Sequence, residues 1–208
     1  MDLVKGKFIT FEGPEGSGKS TQTALALEYL KSKKIPVVFL REPGGVKISE
    51  SIRKLLLDVK SEAMGDECET LLYMAARAQM VKEVLEPQLK AGAIILCDRF
   101  LDSTIAYQGY GNGVDIKTIE EIGSFATKGI TPELTILFDI KPETGLSRAS
   151  QKKDRIESRS IEYHNRVRHG YLELAKKYPN RIKVIKVDAG KEEIFEKVKA
   201  QIDSLLGL

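Results

Sequence analysis

The chain has 208 residues, 42% of them apolar and 30% charged, the make-up of an ordinary globular domain with room for one substantial core. Its 33 basic and 30 acidic residues leave a net charge of only +3, too even a balance for a nucleic-acid binder, so any anion must be recognised locally. No apolar stretch approaches the ~18 residues of a membrane span, and Met1-Asp2-Leu3-Val4-Lys5-Gly6-Lys7 lacks a signal-peptide core followed by a cleavage site, so no membrane and a cytoplasmic location are expected.

Short apolar runs alternate with helical patterns along the whole chain. Phe8-Ile9-Thr10-Phe11 comes first, then Pro36 to Leu40, Ala93 to Cys97, Leu134 to Ile140, and Ile182 to Val187. Most are continuous rather than alternating, as in strands covered on both faces. Between and after them, Val167, Tyr171, Leu174, Ala175 and Tyr178 recur on one helical face, and Ile194, Val198, Ile202 and Leu205 on another. Pro142 marks a helix start and Pro179 a helix stop. Strand and helix in repeated alternation predict a single α/β domain over 1–208 with a mainly parallel sheet, whose ligands bind beyond the carboxyl ends of the strands. Cys68 and Cys97 are too few for a disulfide framework and are expected as free thiols.

The first strand runs into Gly13-Pro14-Glu15-Gly16-Ser17-Gly18-Lys19-Ser20, which fits G-x-x-x-x-G-K-[ST], and a helix is predicted from Thr21 to Leu30. Glycines let the backbone wrap a phosphate with its N–H groups turned inward, and the helix N-terminus adds potential favourable to an anion. Lys19 is expected to reach the β- and γ-phosphates of ATP, and the Ser20 hydroxyl to coordinate Mg²⁺. The loop alone does not choose between a switch GTPase, a motor ATPase and a small-molecule kinase; an Asn-Lys-x-Asp guanine-reading tetrapeptide is absent.

Four further stretches choose. They are Arg41-Glu42-Pro43-Gly44-Gly45, Tyr73-Met74-Ala75-Ala76-Arg77, the run from Asp98-Arg99-Phe100 through Thr104 and Tyr107-Gln108-Gly109, and Asp154-Arg155-Ile156-Glu157. In this order and spacing the chain resembles the bacterial thymidylate kinases, P-loop nucleoside monophosphate kinases, over essentially its whole length. The resemblance implies a five-stranded parallel sheet in order 2-3-1-4-5 flanked by helices, a homodimer, and the reaction ATP + dTMP → ADP + dTDP with Mg²⁺.

It also implies roles. Arg77 and Arg99 hold the acceptor phosphate, where guanidinium forks neutralise an anion bidentately. Arg53 helps or is merely a surface residue, and Glu42 and Pro43 join the acceptor site. Tyr73, one turn before Arg77, stacks on thymine. Thr104 and Gln108 read the pyrimidine edge or lie beside it, and Tyr107 crowds the sugar 2′ position, giving a preference for deoxyribonucleotides. Glu15 contacts the sugar 3′-hydroxyl or metal-bound water. Asp98 orients Mg²⁺ through water, or else pairs with an arginine.

Some thymidylate kinases carry an arginine directly after the acidic residue of the loop, whereas this chain has Gly16. A transferring phosphoryl group needs a positioned cation, worth ~10³–10⁵ in rate, so a mobile source is expected. The basic segment around 146–159 resembles the family's lid, with Arg148 and Arg155 as first candidates and Lys152 next. His164 and His169 lack zincin spacing and are expected on the surface. Alternatives are a kinase for another nucleotide or a deoxynucleoside, and a P-loop NTPase switch.

Overall fold

The computed structural model describes residues 6–148 and 154–208. The chain forms β1 (Lys7–Glu12), α1 (Lys19–Ser32), β2 (Val37–Arg41), α2 (Lys47–Leu57) and α3 (Asp66–Met80). A π-helical stretch, Val81–Leu85, carries α3 into α4 (Glu86–Lys90). Then come β3 (Ile94–Asp98), α5 (Leu101–Thr104), a second π-helical stretch (Ile105–Gly111), α6 (Ile116–Thr127) and β4 (Leu134–Asp139). The chain continues with α7 (Pro142–Arg148), α8 (Ile161–Lys177), β5 (Ile182–Lys186) and α9 (Lys191–Leu206).

The five strands are parallel in the order β2-β3-β1-β4-β5, the order the resemblance implied. Two boundaries differ from the sequence expectation in ways that matter. β3 extends to Asp98 because that residue is in register with Phe11 on one side and Arg41 on the other. Its carboxylate therefore stands at the carboxyl edge of the sheet beside the end of β1. α1 starts at Lys19 rather than Thr21, because Gly18 turns left-handed (φ 82°) and accepts from Gln22 N at 3.1 Å, closing the first helical turn immediately.

Continuous strands have two faces to cover. On one, Ile9, Phe11, Ile136 and Phe138 pack with Ala26 and Leu30 of α1 and Ile194, Val198 and Ile202 of α9. On the other, Leu137 and Ile182 meet Val167, Tyr171 and Leu174 of α8, so the predicted helical stripes are the buried ones. Leu30 is fully buried. Leu30→Ala should therefore lower unfolding free energy by about 2–5 kcal/mol, the cost of a partly collapsed core cavity, as read by chemical denaturation. Among the described residues no helix is long and apolar enough to cross a membrane. Cys68 is exposed and Cys97 buried, both as free thiols.

Candidate active site

The loop after β1 closes on its own lysine. Lys19 Nζ donates to the carbonyls of Gly13 and Pro14, both at 2.9 Å, and to Ser17 Oγ at 3.4 Å. Gly13, Gly16 and Gly18 have positive φ, and Ser17 is buried beneath them. Burial lowers the Lys19 ammonium to about 8, despite the pull of Asp98, Glu15 and Glu12. An incoming polyphosphate would reverse that. No side chain caps the N-terminus of α1, so its first N–H groups stay available to an anion, and Thr21 faces outward one residue beyond Ser20.

Ser20 Oγ lies 3.3 Å from Asp98 Oδ2, while the buried Asp98 Oδ1 has no hydrogen-bond partner among the described residues. A hydroxyl and a carboxylate with a spare oxygen, beside a phosphate cradle, suit Mg²⁺, which uses few protein oxygens together with substrate phosphates. Among the described residues no cluster of three or more His, Cys, Asp or Glu offers an all-protein metal cage.

Glu15 turns towards Arg99 and Tyr107. Its Oε1 accepts from Tyr107 OH at 2.6 Å and Arg99 Nη2 at 3.1 Å. Burial would raise this carboxyl, but His164, Arg99, Lys19 and Tyr107 outweigh it and hold it at about 2. Arg99 is itself held in the left-handed region (φ 70°), an uncommon conformation for a non-glycine residue. Its N–H donates to Phe11 O at 3.0 Å, and Glu12 Oε1 accepts from the next amide, Phe100 N, at 2.7 Å. Arg99 Nη1 reaches Ser103 Oγ and Tyr171 OH at 3.2 and 3.1 Å, and the guanidinium stacks 4.9 Å above the Tyr107 ring.

Arg77 rises from α3 and is 2% exposed. Its Nε donates to Glu42 Oε2 at 2.7 Å, and its Nη2 to Phe100 O and Thr104 Oγ1 at 3.1 and 3.0 Å. Burial lifts the Glu42 carboxyl to about 7, with Arg77 limiting the rise. Arg53 Nη1 donates to Pro43 O at 2.9 Å, tying α2 to the loop after β2.

These groups share one cleft of about 360 Å³. The loop contributes Glu15, Gly16, Lys19 and Ser20, and the facing wall Glu42, Pro43, Arg53, Tyr73, Arg77, Arg99, Thr104, Tyr107 and Gln108, with Asp98 between them.

A model of the thymidylate kinase family matches residues 11–198. The chain belongs to that family. It is 44% identical over 201 residues to the thymidylate kinase of Clostridium novyi, covering 95% of this chain and 98% of that one. To the thymidylate kinase of Kosmotoga olearia it is 48% identical over 193 residues, covering 92% of each. The crystal structure of thymidylate kinase from Ehrlichia chaffeensis superposes with a TM-score of 0.80 at 34% identity, covering 95% of this chain and 98% of that chain.

Three expectations from the sequence need revision or fall elsewhere. Arg155 does not line the cleft: its guanidinium is buried, ion-paired to Glu69 at 2.6 Å, and its Nε donates to Leu56 O at 2.8 Å. In this arrangement it ties its own segment to α2 and α3 instead of presenting a free charge. Arg148 is exposed at the last turn of α7, and Lys152 lies outside the described residues. His164 is not a surface residue. It is 1% exposed, with Nδ1 3.5 Å from Glu15 Oε2, because position 164 falls on the buried stripe of α8; His169 is exposed as expected.

Residues missed from sequence include Ser103 and Tyr171, whose hydroxyls reach Glu12 Oε2 at 2.6 and 2.9 Å and thereby support Arg99 from behind. Gly16 has a structural reason to lack a side chain: a Cβ there would overlap the carbonyl of Gly145 in α7.

Proposed function

We propose that the chain transfers the γ-phosphoryl group of ATP to dTMP, with Mg²⁺ held between Ser20, Asp98 and the ATP phosphates. The observation that carries this reading is the single cleft with Lys19 on one wall and Arg77 and Arg99 on the other. Two anionic nucleotides meeting end to end repel each other, and only a site with cations on both sides lets an acceptor phosphate oxygen come into line with the γ-phosphorus. No protein nucleophile is required. Mg²⁺, when bound, supplies neutralisation of the β- and γ-oxygens.

Lys19 binds those same oxygens, while Arg99 holds and turns the acceptor phosphate and Arg77 stands behind Thr104 on the same wall. Glu15, kept ionised and fixed by Tyr107 and Arg99, is an acceptor suited to the sugar 3′-hydroxyl. The Tyr73 ring, half-buried on the cleft wall, offers thymine a stacking face. The cation absent from position 16 comes from the lid, with Arg148 and Lys152 as its carriers and Arg155 joining only if it leaves Glu69. The working form is a cytoplasmic homodimer.

An ADP-release assay over the common nucleoside monophosphates, with ATP and Mg²⁺, tests the proposal. The expected result is highest kcat/KM for dTMP, weaker turnover of UMP, and little ADP without an acceptor. Equal rates for UMP and dTMP would remove the role of Tyr107. ADP release indifferent to any acceptor would replace the kinase with an NTPase.

A further inference from the structure

Glu69 carries no role in the reaction described above, yet it is a fully buried carboxylate beside the base-binding wall. It sits in the first turn of α3, one turn before Tyr73. Its two oxygens are divided between two tasks. Oε2 takes Arg155 at 2.6 Å and Arg159 at 2.8 Å. Oε1 takes Gln108 Nε2 at 2.7 Å and Asn112 Nδ2 at 3.2 Å.

The second task has chemical content. An ion-paired carboxylate offers only acceptors, so the amide of Gln108 can face it only through its NH₂ group. The amide cannot flip, and Gln108 Oε1 becomes the end turned away from Glu69, in a side chain that lines the cleft. No described residue donates to Oε1. Four positions earlier, Thr104 Oγ1 already accepts from Arg77 Nη2 at 3.0 Å, which frees its own proton for donation. The wall therefore shows a fixed acceptor and, beside it, a donor.

We infer that Glu69 is a positioning residue for base selection: by fixing the Gln108 amide it sets the wall to read an N3–H donor flanked by a carbonyl acceptor, and so to reject bases with the reverse pattern. Thymine presents N3–H and O4 in the accepted order. Cytosine presents an acceptor at N3 and a donor at N4, both reversed. A free glutamine would rotate to suit either base, and the two arginines on Oε2 keep Glu69 from accommodating that rotation. The inference rests on the dTMP-kinase reading of the same cleft.

The probe is 5-methyl-dCMP, which keeps the ring shape and the 5-methyl group of dTMP and changes only the hydrogen-bonding edge. The wild-type enzyme should prefer dTMP by about 100-fold or more in kcat/KM, the scale on which unpaired buried polar groups discriminate. Glu69→Gln, whose own amide can donate to Oε1, should cut that preference at least ~10-fold, mainly by raising KM for dTMP and lowering it for 5-methyl-dCMP.

Because Glu69→Gln also strands two arginines, Glu69→Asp serves as the second variant. It keeps the charge but withdraws the carboxylate from Gln108, and should cut the preference by several-fold. In a Gln108→Met background, either Glu69 change should alter the preference no further, whereas a merely structural role for Glu69 would leave the two effects independent. An unchanged dTMP preference in a folded Glu69 variant, or full additivity in the Gln108→Met background, overturns the inference. Absence of dTMP turnover in the wild type would instead overturn the function it rests on.

Discussion

Lys19→Ala should lower kcat by about 10³-fold or more while leaving the protein folded, as measured by steady-state turnover alongside thermal unfolding. The side chain is 8% exposed and its ammonium is satisfied by loop oxygens, so it is pre-oriented without being part of the apolar core. Its charge is costly where it sits. With a folded value of about 8 against an ordinary 10.5, the unfolded chain binds the proton more tightly. The penalty is full below pH 8, fades as pH rises from 8 to 10.5, and is absent above that, so this residue makes stability increase with pH across that window. Lys19→Ala should flatten the increase. A polyphosphate favours the ammonium form, so ATP binding at pH 9 should take up a proton in the wild type and not in the variant. A Lys19→Ala enzyme with wild-type kcat would remove the phosphate-loop assignment.

Arg77→Leu should be the most destabilising change in the acceptor wall, by about 3–5 kcal/mol, because it leaves Glu42 buried at 4% exposure without its partner. Burial already raises Glu42 to about 7, and loss of the guanidinium raises it further. A carboxyl raised above its unfolded value of 4.5 costs nothing below that pH and costs progressively more as pH climbs to the folded value. The variant should therefore be closer to the wild type at pH 4.5 than at pH 8. Arg77→Leu combined with Glu42→Leu should recover most of the lost stability at pH 8, since the orphaned charge is gone. It should not recover the KM for dTMP, because Arg77 Nη2 also fixes Phe100 O and Thr104. Recovery of both by the double variant would make Arg77 a structural residue only.

What was legible in the sequence was what is local. The phosphate loop, the five strands and the Tyr73–Arg77 pair are short-range patterns: the loop and the pair line the cleft, and the strands lie on the apolar runs with their ends shifted by at most one residue. Resemblance then supplied Thr104, at the end of α5, and Tyr107 and Gln108 on the π-helical stretch that follows; that local rewinding leaves no periodic mark in the sequence. What was not legible depends on residues far apart in the chain. Tyr171 looked like one more apolar position on the stripe of α8, yet its hydroxyl meets Glu12, 159 residues away. The spacing of His164 from His169 speaks only to metal binding and says nothing of a carboxylate 149 positions upstream. Arg155 belongs to a run of basic residues, but its partner Glu69 is an unremarked acid opening another helix. Charge runs advertise themselves in sequence, whereas the buried counter-charge that captures one member does not.

The two facing glycines, Gly16 in the loop and Gly145 in α7, carry a consequence for how this chain could evolve. Each leaves no room for a Cβ against the backbone of the other segment: at 16 the obstacle is Gly145 O, and at 145 it is Glu15 O. A guanidinium donor installed directly in the loop would first have to dislodge a helix. The proposed supply of positive charge by Arg148 and Lys152 would then be a commitment that no lone substitution at position 16 can undo.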